Sequence, residues 1–127
     1  MTMPGERTRS LRWAHELLGA LSMEGELPTE IRDRACAISS AFPSPQTIQS
    51  LIASNAERLP TDLAIAIEAA RALLVDLQAS GYAPAPMQQD ILYTLRHFPP
   101  AGAAKGFARG RFAFGIESWL GRDNGEL

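Results

Sequence analysis

Residues 61–81 read TDLAIAIEAARALLVDLQASG, and the fold is decided by this stretch. Leu63, Ile67, Ala70, Leu74 and Leu77 recur at three- and four-residue intervals, which places them on one face of a helix. Ile65, Ala69, Ala72 and Leu73 widen that face, so the spacing predicts a central helix buried on several sides, with only Glu68, Arg71 and Asp76 requiring water. Thr61 and Asp62 supply a cap and an acid at the positive end of the helix dipole, and Gly81 supplies the stop.

The chain around it has the same character. Among 127 residues, 20 alanines and 15 leucines stand against a single valine, Val75, so helix formers are abundant and the usual strand former is almost missing. Prolines and glycines fall between the periodic stretches. A first helix is predicted from Pro4 to Ser22, with Thr2 as cap and Leu11, Ala14, Leu18 and Leu21 as its inner stripe. A second runs from about Pro28 to Phe42, where Pro43 stops it. Ser44 as N-cap and Pro45 at the first helical position open a third, ending near Asn55. A fifth spans about Pro86 to His97. Between 101 and 121 five glycines favour two short helices broken near Gly110 over one long one, and RFAFGI alternates like a strand as the lesser option.

Sliding the chain by 56 positions lays Leu17 on Leu73 and also matches Ala14 to Ala70, Leu18 to Leu74, Leu21 to Leu77, Gly25 to Gly81, Pro28 to Pro84, Phe42 to Phe98 and Pro43 to Pro99. The glycine, proline and Phe-Pro matches fall at helix ends, where backbone conformation limits the choice of residue. The reading is an all-α single domain, 1–127: a compact bundle of six to seven helices built from two pseudo-repeated three-helix units, about 4–56 and about 61–109, with a C-terminal segment 110–127. One unit of about 50 residues buries too little apolar surface alone, so the two are expected to share a core.

The opening MTMPGERTR, Met1 to Arg9, resembles the start of a family of small uncharacterised bacterial helical proteins that begin MTMPxERTR. That family also carries Arg-His-Tyr-Pro at the end of a later helix, to which Arg96-His97-Phe98-Pro99 is similar. The two motifs stand in different halves here. What the resemblance implies is a small helical protein without an assigned activity.

Composition also limits function. A formal charge of −2 argues against bulk attraction to nucleic acid or anionic lipid. No apolar run approaches the about 20 residues a membrane helix needs, and the polar start is not read as a signal peptide. One cysteine, Cys36, excludes an internal disulfide, and with His15 and His97 as the only histidines no zinc site of the Cys/His type is expected. The expected location is cytoplasmic. Neither GxxxxGKS/T, GxGxxG, GxSxG nor HExxH occurs. His15 and His97 both have structural explanations, and Cys36 reads as a small buried hydrophobe. No catalytic residue, cofactor or metal is therefore expected; a cleft holding His97 or Cys36 beside a carboxylate is what would mark an enzyme.

Two stretches stand out. Ala35 to Ala56 contains no charged residue, and charge depletion is what the centre of a protein interface displays. Residues 96–116 carry Arg96, Lys105, Arg109 and Arg111 with no acid, interleaved with phenylalanines. These point to a non-catalytic protein–protein interaction module, an inhibitor, immunity factor, regulator or adaptor. Its contact residues are expected to be Phe42, Gln46, Gln49 and Ser50 at the turn between the second and third helices, or Arg109, Arg111 and Trp119 in the basic stretch. The partner is another protein or a second copy of the chain. The alternative is a DNA-binding helix-turn-helix regulator, against which stands the lack of Lys or Arg from Ala35 to Glu57.

Overall fold

A computed structural model describes residues 2–122. Among them every regular element is helical and there is no strand, so the strand option for RFAFGI falls. The elements are α1 (Pro4–Ser22), α2 (Thr29–Ala41), α3 (Pro45–Ala53), α4 (Thr61–Ser80), α5 (Ala85–His97), α6 (Ala103–Arg109) and a 3-10 turn (Ile116–Ser118). Residues 123–127 of the expected C-terminal segment lie outside the described part.

The boundaries follow the punctuation. Ser44 caps α3 as expected, its hydroxyl accepting the Thr47 N–H at 3.1 Å. Gly81 ends α4 at φ +71°, the left-handed conformation that a side chain disfavours. The two threonine caps are corrections. Pro60, not Thr61, occupies the capping position of α4, and Met3 occupies that of α1, because the chain enters both helices one residue earlier or later than a threonine hydroxyl could serve. Thr2 uses its hydroxyl elsewhere, as described below.

α1 and α4 are the two long helices, and each is flanked by both α2 and α5. Leu11, Leu18 and Leu21 from α1 and Ile67, Leu73, Leu74 and Leu77 from α4 are almost wholly buried in one continuous core. Ala14 and Ala70 are fully buried at the middle of these helices, where a small side chain lets neighbours approach closely. α6 packs on α4, and α3 meets the 3-10 turn.

The charges of α4 do more than meet water. Glu68 accepts the Gly102 N–H through both oxygens, at 2.8 and 3.0 Å, and Arg71 donates to the Pro99 carbonyl at 3.3 Å, so the two residues hold the turn between α5 and α6. Asp76 pairs with Arg34 of α2 at 2.8 Å. The link between α3 and α4 is tied to α6 and the segment after it by two backbone bonds, Leu59 N–H to the Phe107 carbonyl at 2.9 Å and Phe112 N–H to the Glu57 carbonyl at 2.8 Å.

No helix among the described residues is long and apolar enough to cross a membrane.

Candidate functional site

The turn between α2 and α3 divides its uncharged residues by polarity. Phe42 turns inward, 6% exposed, and its ring stacks on Phe98 with centroids 6.5 Å apart. Ile48 is buried with it. Gln46, Gln49 and Ser50 of α3 face outward, with Ala37, Ser40 and Ala41 of α2 and Ala53 and Ser54 after them. Both helices thus expose small and amide side chains on either side of the turn, with no charge among them. Phe42, expected on that surface, belongs to the core beneath it.

The second group of expected contact residues is also divided. Trp119 is buried, 6% exposed, against Phe107 at 4.8 Å and Phe112 at 6.0 Å between ring centroids. Its carbonyl accepts from Arg7 at 2.7 Å. Arg109 ends α6 in solvent, and Arg111 lies 3.6 Å from Glu57 with both side chains about 70% exposed, a pair that adds little to stability. Phe114, two residues from the buried Phe112, points into solvent. The structure therefore brings Gln46, Gln49 and Ser50 together on one face, and sets Arg109 and Arg111 apart from a buried Trp119.

Cys36 was expected inside; it is exposed on α2 as a free thiol. Position 36 lies one residue past the buried Ala35, outside the helix stripe that Ala35 and Ile38 define.

One cluster escaped the sequence reading. The Thr2 hydroxyl lies 3.1 Å from His97 Nδ1, and His97 Nε2 lies 3.1 Å from Glu6 Oε2. In the tautomer that protonates Nε2, the ring donates to Glu6 and accepts from Thr2. The other Glu6 oxygen accepts the Met3 N–H at 2.9 Å, and the Ser10 hydroxyl reaches the His97 carbonyl at 3.2 Å. Next to it Arg7 and Thr8 hold the C-terminal segment, Thr8 donating to the Gly121 carbonyl at 2.6 Å. Gly5 is required here, since a Cβ would stand 2.5 Å from the Arg122 carbonyl oxygen. The signal was in the chain: Thr2, Glu6, Arg7 and Thr8 belong to MTMPGERTR and His97 to RHFP, and the two stretches meet in space.

A hydroxyl, an imidazole and a carboxylate in series are the parts of a nucleophile and its base. Here both Glu6 oxygens are engaged, one by Met3 and one by His97, and the bonds of Thr2, Glu6 and Ser10 to His97 clasp the start of α1 to the end of α5. The cavity described below lies on the same helix pair but is lined by other residues. No group of three His, Cys, Asp or Glu side chains among the described residues is placed to hold a metal.

The Met3 N–H bond holds the Glu6 carboxyl below the ordinary carboxylate range; partial burial opposes this, and the nearby His97 adds to the lowering. A carboxyl depressed in the fold stabilises it above the ordinary carboxylate pKa, and that contribution is lost as pH falls through the lowered value. Glu6→Gln is accordingly expected to flatten the acid side of the stability profile, read as a smaller drop in thermal midpoint between neutral pH and about pH 3 than the parent chain exhibits.

No protein-family model, curated protein or solved structure matches the chain.

Proposed function

We propose that the chain is a non-catalytic protein-binding module, an inhibitor, immunity factor, regulator or adaptor, whose contact face is the outward surface of α2 and α3 around Gln46, Gln49 and Ser50. The observation that carries this reading is that not one of the residues exposed between Cys36 and Asn55 carries a charged side chain. An ordinary solvated surface of that extent carries charge, and desolvating amides, hydroxyls and alanines costs less than desolvating charges when a partner arrives. The partner has a neutral surface: another protein, or a second copy of the chain as the homodimeric form of the same reading. The exposed thiol of Cys36 suits a reducing compartment, which supports a cytoplasmic location.

Charge placed on this face is the test. The double variant Gln46→Glu, Ser50→Glu changes two exposed positions and is expected to shift stability by less than about 1 kcal/mol. Affinity capture from cells and sedimentation are run on both chains. The expected result is a captured protein, or a self-associated species, that the parent retains and the variant loses. A partner that the variant retains unchanged overturns the assignment of this face. A parent chain that sediments as a monomer and retains nothing overturns the function.

The same reading includes two copies of a three-helix unit, 4–56 and 61–109, in a bundle of six to seven helices. Several observations support it. α2 at Thr29–Ala41 and α5 at Ala85–His97 coincide at both ends under the shift that lays Leu17 on Leu73. Every buried position from Thr8 to Ile48 falls, under that shift, on a buried position from Ala64 to Ala104, and the reverse also holds. Phe42 and Phe98, counterparts in sequence, stack on each other. Each long helix packs on the other unit's middle helix, α1 on α5 and α4 on α2. The clasp is built from both motifs of the MTMPxERTR family, which supports keeping that resemblance as part of the proposal.

A further inference from the structure

The seam between α1 and α5 opens into a cavity of about 370 Å³, within the size range of small-molecule sites. His97 at the end of α5 meets Glu6 at the start of α1, so the two helices run antiparallel along this seam. Its lining combines two kinds of side chain. Trp13 and Tyr93 are large aromatics that stand partly in solvent, 36% and 48% exposed, together with Met87 and Leu17 as apolar floor. Glu16 and Asp90 are the charged lining residues, and no basic side chain joins them. Negative ring faces and two carboxylates beside an apolar floor favour a cation that also carries hydrocarbon. A hard divalent metal ion gains little from a hydrocarbon floor, and an anion is repelled by both carboxylates.

The second seam of the bundle, between α2 and α4, makes the same point by contrast. The shift that lays Leu17 on Leu73 puts Ala69 and Ala37 where this seam has Trp13 and Tyr93, and Arg34 where it has Asp90. There Arg34 pairs with Asp76 at 2.8 Å, so that seam supplies its own cation. At the matching places the α1–α5 seam carries Asp90 where the other has Arg34, and two rings where the other has alanines. This comparison rests on the two-unit reading; the lining chemistry stands without it.

We propose that the α1–α5 cavity is a binding site for a small organic cation, a quaternary or protonated alkylamine, whose charge lies between Glu16, Asp90 and the faces of Trp13 and Tyr93. It is separate from the uncharged protein-binding face, and neither site needs the other.

The test uses a pair of probes that differ only in charge, acetylcholine and its uncharged carbon isostere 3,3-dimethylbutyl acetate, titrated into the full chain by NMR and by tryptophan emission. The expected result is saturable binding of the cation about tenfold or more tighter than the isostere, with shifts confined to residues of α1 and α5. Glu16→Gln with Asp90→Asn, both at exposed positions, is expected to bring the cation down to the isostere's level while leaving the isostere unchanged. Trp13→Phe keeps a ring and retains most of the affinity, whereas Trp13→Ala loses it. Equal binding of the two probes, affinity for the cation that survives the carboxylate variant, or no saturation by the cation overturns the proposal. Failure here leaves the charged-face experiment untouched, and the reverse.

Discussion

Phe42→Ala and Phe98→Ala are each expected to destabilise the chain by about 3–5 kcal/mol, read as a lowered midpoint in chemical denaturation. Both rings are nearly buried, both sit at a helix end fixed by the following proline, and neither space can be refilled by a flexible neighbour, because the facing residue is the other phenylalanine. Against a total of about 5–15 kcal/mol for a domain of ordinary stability, either loss removes a large fraction. The double variant is expected to cost less than the sum by about 0.5–1.5 kcal/mol, the coupling of a ring pair. Similar single costs are what two equivalent units require. A cost several times larger at one position than at the other would break that equivalence and leave two unlike hairpins.

Trp119→Ala carries the second large effect, again about 3–5 kcal/mol in chemical denaturation. The indole packs against both Phe107 and Phe112, so its removal opens a cavity next to two rings that touch each other at 4.7 Å. It also loosens the backbone whose carbonyl satisfies Arg7, a guanidinium that burial already pushes below its ordinary pKa. A partly buried cation left without its acceptor adds to the loss. Trp119→Phe preserves most of the packing and is expected to cost less than half as much. If Trp119→Ala instead leaves the midpoint unchanged while weakening a partner, the residue is a surface anchor and its burial against Phe107 does not persist in solution.

The helices were legible because their ends are chemically marked. Pro43, Pro45, Gly81 and Pro99 restrict backbone geometry at once, and a stripe such as Leu11, Leu18 and Leu21 needs no partner to be read. Gln46, Gln49 and Ser50 were legible as neutral because no charged residue occurs from Ala35 to Ala56. What the chain hid depends on packing. Phe42 and Trp119 look like interface anchors by type, yet type does not say which side of a helix end faces the core. Glu68 and Arg71 look like solvated charges on α4 until the turn at Pro99–Gly102 lies against them. The Thr2–His97–Glu6 clasp and the Trp13–Tyr93 cavity both arise from α1 and α5 running side by side, residues far apart in sequence whose proximity no local pattern encodes.

The bonds that join α1 to residues 119–121 also order events during synthesis. Arg7 and Thr8 wait for acceptors 112 and 113 residues downstream, the carbonyls of Trp119 and Gly121. These are synthesised so far behind α1 that translation at about 5–20 residues per second has by then exposed α1 for seconds. The nascent chain therefore spends that interval with its first helix lacking the cover that residues 119–121 supply. A chaperone that binds the apolar stripe of α1 would have this window and no later one.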